Sequence, residues 1–213
     1  MHYRHEHKYI VSPYTAELLR RRVSAVMSPD VHSSDGVYTV HNLYLDDQYD
    51  SFYHEKLRGS LVRDKYRARF YNGDLAFIRM EHKHKHGDLA CKETAVLTGE
   101  QYAALLSGRV EFAPDDPSAL LREIAKLHRL RHLRPAAVFS YRREAYTYAP
   151  GNVRLTFDSR IGTDEVAGAG DSLVLELKFD RFLPSVIAGL LDGVPIARTE
   201  MSKYGYVREK TGL

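Results

Sequence analysis

Through much of this chain apolar and polar residues alternate one by one, the period of a β-strand whose successive side chains point to opposite faces. Segments rich in Tyr, Val, Phe and Leu carry this pattern over residues 3–11, 37–46, 62–72, 75–86, 89–98, 136–149, 152–160 and 172–180. Asn72-Gly73-Asp74, His86-Gly87-Asp88 and Pro150-Gly151-Asn152 fall between such segments and read as hairpin turns. Helical patterns are inserted among the strands. They are TAELLRRRVSAVM (15–27), a short segment from a Thr98/Gln101 capping box to Leu106, a longer one opened by Asp116-Pro117, and FLPSVIAGLL (182–191). In the third of these Leu120, Ile124 and Leu127 form the apolar stripe. Hairpin-linked strands with a few inserted helices predict an α+β fold around an antiparallel sheet.

Sorting each strand by parity exposes a recurrent face. Arg4, Glu6 and Lys8 share one side of the first strand. In the segment KYRARFY (65–71), Lys65, Arg67, Arg69 and Tyr71 oppose Tyr66, Ala68 and Phe70. Arg79, Glu81, Lys83 and Lys85 align next, then Lys92 and Thr94, then Tyr141 and Arg143. Arg154, Thr156, Asp158 and Arg160 oppose Val153, Leu155 and Phe157, and Glu176 and Lys178 oppose Leu175 and Leu177. For any one strand a solvated polar face is the ordinary reading. Taken together, these faces crowd cations beside carboxylates in strand after strand, and like charges set side by side or opposite repel.

A closed barrel relieves that crowding. About eight strands enclose an interior wide enough for a slender ligand. The charged faces then point inward and the helices cover the apolar exterior. A ring of buried Arg and Lys is untenable alone but reasonable around a polyanion, since guanidinium forks match phosphate oxygens and ammonium groups supply point charge. The carboxylates become oxygen ligands for Mg²⁺ or Mn²⁺ bridging the phosphates.

Bulk composition narrows the picture further. The length and 44% apolar content suit one soluble domain spanning 1–213. A net charge of +3 is too small for a general nucleic-acid-binding field. The single cysteine, Cys91, rules out an intrachain disulfide framework and makes a reducing, cytoplasmic setting the expectation. The charged start has no signal-peptide core, and no run of about 18 apolar residues predicts a membrane span.

The ordered set Glu6-x-Lys8, KYRARFY, EHKHK (81–85), YRREAY (141–146), VRLTFD (153–158), LELKF (175–179) and SKYGY (202–206) closely resembles the VTC domain, the polyphosphate polymerase domain of the vacuolar transporter chaperone complex. That domain belongs to the triphosphate tunnel metalloenzymes, together with the CYTH-type triphosphatases. The resemblance runs from residue 3 to 206. It implies an eight-stranded antiparallel tunnel holding a triphosphate and a divalent metal, Mn²⁺ or Mg²⁺. It assigns the phosphates to Arg67, Arg69, Lys83, Lys92, Arg143, Arg154, Lys8 and Lys203, with Lys65, Lys85 and Lys178 on the same faces. Ser202 would hydrogen-bond a phosphate oxygen, and Tyr141 would pack on a nucleotide base. Glu176 would hold the metal, with Glu81 and Glu6 as further acidic candidates. The triphosphatase branch often carries ExExK in its first strand; here Arg4 takes the place of the first glutamate, which favours the polymerase branch.

The implied reaction transfers the γ-phosphate of ATP to a growing polyphosphate. A triphosphatase acting on tripolyphosphate, ATP or thiamine triphosphate, and a non-catalytic polyphosphate-binding module, are the rival readings. His82, His84 and His86 have the opposite parity to Glu81, Lys83 and Lys85, so they are expected to face away from the tunnel, with incidental metal binding a minor option. The basic stretch KLHRLRHLR (126–134) reads as a solvated helix face with its leucines docked on the sheet.

Overall fold

The computed structural model describes residues 4–30, 36–87, 89–113, 115–162 and 173–212. Their chain order is β1 (Arg4–Val11), α1 (Pro13–Ser24), β2 (Ser28–Pro29), β3 (Val37–Asp46), α2 (Ser51–Leu57), β4 (Val62–Tyr71), β5 (Asp74–His86), β6 (Leu89–Leu97), α3 (Gly99–Leu106), α4 (Ala119–Arg131), β7 (Arg134–Tyr148), β8 (Val153–Gly162), β9 (Leu173–Phe179), α5 (Ser185–Gly189) and α6 (Lys203–Thr211). The fold is α+β with antiparallel strand pairing, as the alternation predicts. Each predicted strand is present; Tyr3, Asp88 and Ser172 lie outside the described residues. Contacts cluster into two compact units, one holding residues 40–139 and 203–212, the other 4–39 and 140–202.

In the first unit β3, β4, β5 and β6 pair in sequence order. The β4–β5 turn places Asn72 at φ 52° and Gly73 at φ 75°. Positive φ at both central residues matches the right-handed strand twist, which is why Asn-Gly serves there. One face of this sheet is apolar: Leu43, Leu45, Tyr66, Ala68, Phe70, Ile78 and Met80 bury against Phe52 of α2, Tyr102 and Leu105 of α3, and Leu120, Leu121 and Ile124 of α4. The capping box opening α3 is formed, with Gln101 N donating to Thr98 Oγ1 at 3.1 Å and Thr98 N to Gln101 Oε1 at 2.9 Å. Helix α4 begins at Ala119, two residues beyond Pro117 rather than at Asp116-Pro117, because Ser118 Oγ accepts from Leu121 N and so fixes the cap. In its basic stretch Leu133 is buried, but Leu130 is 67% exposed, so that leucine does not dock.

In the second unit the order is β1, β9, β8, β7, β2. Leu173, Leu175, Leu177 and Phe179 of β9 and Val153, Leu155 and Phe157 of β8 pack on Ala16, Leu19 and Val23 of α1. Helix α1 starts earlier than the pattern suggested, since Ser12 caps it and Pro13 occupies its first turn. The helix expected over 182–191 shrinks to the five residues of α5. The alternation in β8 breaks at Arg160, whose φ of 52° turns it outward to solvent beside a register shift; it does not share the face of Arg154, Thr156 and Asp158. Two helices carry no clear sequence signal. Helix α2 is held by Asp46, whose carboxylate accepts from Phe52 N at 3.0 Å and Tyr53 N at 2.9 Å. Helix α6 is anchored by Arg208, bidentate on Asp50 at 3.0 and 2.9 Å, and by Tyr204 OH donating to Asp46 at 2.8 Å. No helix among the described residues is long and apolar enough to cross a membrane.

Candidate active site

Opposite its apolar face, the first unit carries a charged one built by register. Asn42 and Tyr44 of β3 pair with Arg69 and Arg67 of β4. Arg69, Arg67 and Lys65 pair with Arg79, Glu81 and Lys83 of β5, and Glu81 and Lys83 with Thr94 and Lys92 of β6. At its centre Glu81 is 1% exposed. Arg67 reaches Glu81 Oε2 through Nε at 2.7 Å and Nη2 at 2.6 Å, while Lys92 Nζ donates to Oε1 at 2.8 Å. Arg69 Nη1 stands 3.9 Å from the same carboxylate. Burial pushes the Glu81 carboxyl up, but Arg67, Arg69 and Lys92 together outweigh it and hold the group far below the usual carboxylate range. Both oxygens therefore serve cations, and a metal at Glu81 would have to displace Lys92 or Arg67.

Neighbouring side chains fix the guanidiniums. Asn42 Oδ1 accepts from Arg69 Nε at 2.9 Å and Nη2 at 2.7 Å. Arg67 Nη1 donates to Tyr44 OH at 2.8 Å, and Tyr44 stacks between Phe139 and Tyr204 at 5.5 and 4.9 Å. Burial raises the Tyr44 hydroxyl, yet Arg67, Arg69 and Lys203 bring it below its ordinary value. Three cations thus act on one ring system. Lys65, Lys83 and Lys92 occupy directly paired positions on three strands, so one row of this face is wholly ammonium. Within this row Lys92 has the Glu81 carboxylate as its counter-ion.

The second unit has its own charged face. Glu6 and Lys8 of β1 pair with Lys178 and Glu176 of β9, which pair with Arg154 and Thr156 of β8. Asp158 pairs with Arg143 of β7. Arg143 forks onto Asp158 at 2.6 and 2.7 Å, and both are buried. Desolvation opposes the Arg143 charge, but Asp158, Tyr141 and Glu176 more than restore it. Lys178 Nζ lies 2.7 Å from Glu176 Oε1, and Lys8 Nζ 3.1 Å from Glu6 Oε1. Lys8 also donates to the Met201 carbonyl at 3.4 Å. Arg154 Nη2 donates to Tyr38 OH at 2.7 Å and pairs with Asp30. Ser202 is buried just before α6, where Lys203 begins the helix, and Lys85 sits at the far end of β5 opposite Ala90.

The donors around Glu176 fit a hard divalent cation. Glu176 is 5% exposed, and its register partner Thr156 holds a buried Oγ1 without a hydrogen-bond partner. A carboxylate beside an orphaned hydroxyl is an oxygen set of the kind Mg²⁺ or Mn²⁺ takes, although an ion there, as at Glu81, would have to displace a cation, Lys178, from Glu176 Oε1. Glu6 pairs with Lys178 one step away. Tyr141 is 2% exposed, with the Arg143 guanidinium 5.2 Å over its ring. Residues that parity alone could not single out are the positioning ones: Asn42, Tyr44, Asp30 and Tyr38 orient arginines from other strands or loops. Asn42 stands out only as a polar residue within a largely apolar strand.

Comparison with solved structures places the fold. A Bacillus halodurans protein described as a candidate adenylate cyclase is similar at TM-score 0.57 and 16% identity, with 95% of this chain and 96% of that one covered. The PH1819 protein of Pyrococcus horikoshii OT3 is similar at TM-score 0.54 and 12% identity, covering 97% and 99%. No curated protein matches the chain by sequence. The profile of the VTC domain, however, matches residues 3–210, taking in the charged strands of both units and the SKYGY segment, and the chain belongs to the VTC domain family.

Proposed function

We propose that this protein is a metal-dependent polyphosphate polymerase that transfers the γ-phosphate of ATP to the end of a growing polyphosphate. The observation that carries this reading is the ladder of Arg67, Arg69, Glu81, Lys83 and Lys92, a cationic face with built-in counter-ions and one row of three paired lysines. Arg143, Arg154, Lys8, Lys178 and Ser202 are the corresponding phosphate-contact candidates in the second unit, and Lys65, Lys85 and Lys203 are further candidates in the first. In the reaction a terminal phosphate oxygen of the chain attacks Pγ, the bond from Pγ to the β,γ-bridging oxygen breaks, and ADP leaves with that electron pair.

Phosphoryl transfer of this kind needs positioning and charge neutralisation more than covalent help. Arg67 and Arg69, oriented by Tyr44 and Asn42, would hold equatorial phosphate oxygens with little reorganisation. Lys83 and Lys92 would follow the charge as it shifts toward the leaving group. Glu176, beside Thr156, would hold Mn²⁺ or Mg²⁺, which when bound neutralises phosphate charge and aligns the chain. Hydrolysis is the same displacement with water as the nucleophile. The two are separated by incubating the protein with ATP and Mn²⁺ or Mg²⁺, with and without a short polyphosphate primer, and resolving the products by length. Long chains and ADP are expected. Free phosphate without chains would replace the polymerase with a triphosphatase, and tight polyphosphate binding with no product would leave a binding module.

A further inference from the structure

The other face of the β4–β5 pair gathers a second set of titratable side chains, all within the first unit. Asp64 stands opposite His84 in register, with His82 on the diagonal. Asp64 Oδ1 lies 2.7 Å from His82 Nε2 and 2.7 Å from His84 Nδ1. The other His82 nitrogen, Nδ1, is 3.8 Å from Glu123 Oε2 on α4. Tyr66 donates its hydroxyl to Glu123 Oε1 at 2.6 Å and stacks on the His82 ring at 4.3 Å and 14°. Glu55 Oε2 accepts from Asp64 N at 3.0 Å, and Glu93 is the register partner of His82.

We propose that Asp64, His82 and His84 form a zinc-class metal site, separate from the phosphate-binding face. Two imidazole nitrogens and a carboxylate oxygen, all within 4.8 Å of one another, are the donor set that Zn²⁺, Co²⁺ or Ni²⁺ takes and Mg²⁺ does not. A tetrahedral ion with bonds of about 2.0–2.2 Å sets its ligand atoms about 3.3 Å apart. Each imidazole therefore has to draw back from Asp64 by roughly half an ångström, within the reach of small side-chain rotations. Glu123, 3.8 Å from the far nitrogen of His82, adds negative charge beside the ring without a hydrogen bond to it. The stacked Tyr66 ring holds the imidazole plane. Side-chain exposures of 14%, 26% and 33% for His82, Asp64 and His84 leave the remaining coordination position open to water. Four carboxylates, Asp64, Glu55, Glu93 and Glu123, surround two imidazoles, which favours a cation. Within β4 and β5 even-numbered residues build this site and odd-numbered ones the phosphate face, so these two strands separate the two.

The test uses untagged protein stripped with a chelator and titrated with Zn²⁺ alone, with Co²⁺ as the spectroscopic probe. Wild type should bind Zn²⁺ and give the visible absorption of tetrahedral Co²⁺. His84→Ala and Asp64→Asn should each weaken Zn²⁺ binding at least tenfold and abolish the Co²⁺ bands while keeping the wild-type circular dichroism. An affinity unchanged in both variants, or a wild type that binds no Zn²⁺, would overturn the site. Should either variant fail to fold, ¹⁵N spectra of the wild-type imidazoles decide it: Zn²⁺ must shift His82 and His84, and shifts confined to His5 and His7 would refute the assignment.

Discussion

Glu81 illustrates how a single side chain organises the basic lining. It is enclosed by the sheet, and its negative charge survives because Arg67, Arg69 and Lys92 converge on it. Its folded pKa lies below the unfolded one, so its contribution is complete above the ordinary glutamate value of about 4.3 and declines as pH falls below it. Glu81→Gln should therefore lower stability at pH 7 by about 3 kcal/mol, the usual cost of breaking a buried pair. That deficit relative to wild type should shrink between pH 5 and the acid limit, as urea denaturation across pH would show. A gap independent of pH would mean that the loss is one of packing. Binding separates differently: Arg69→Ala should remove triphosphate binding measured by calorimetry while circular dichroism stays native, because Arg69 stands 3.9 Å from Glu81, whose nearer cations Arg67 and Lys92 remain. The alternation of polar residues made Arg67, Arg69 and Glu81 legible. It could not show that Asn42 and Tyr44 aim the guanidiniums, since that depends on which strand lies alongside.

At the level of elements, strands were read within about two residues because period-2 patterning and Asn-Gly turns are local signals. Helices α2 and α6 escaped for the opposite reason. Helix α2 has no side-chain cap bond and follows Asp50, itself at φ 52°. In α6 the buried positions are Tyr204, Gly205, Val207 and Arg208, which give no clean apolar stripe. What holds them is reciprocal and distant in sequence: Arg208 on Asp50, and Tyr204 on Asp46. The same bonds seat Lys203 at the head of α6. Tyr204→Phe deletes one hydroxyl shared by Asp46 and Arg208, and should cost about 1–2 kcal/mol in thermal unfolding. A neutral effect would show that α6 is held by Arg208 and ring stacking alone.

Across the whole molecule, each unit combines an apolar core under helices with a charged opposite face. Folding therefore concentrates cations that the unfolded chain keeps apart. A ligand that binds only the folded form adds stability by mass action, about 2.7 kcal/mol at a hundredfold excess over Kd. For a chain of this size tripolyphosphate at that excess should raise Tm by about 5–10 °C, and added salt should shrink the shift. A shift equal to that of sulfate at matched ionic strength would mean general screening rather than a site. The row of Lys65, Lys83 and Lys92 also has a practical side. Under the proposed function, protein purified by mild chromatography should carry phosphate-rich cargo, which a phosphate assay on the acid-hydrolysed preparation would detect. Chains that such a preparation makes without added primer would then be extensions of carried-over ends, and only a high-salt wash before the assay can distinguish them from true initiation.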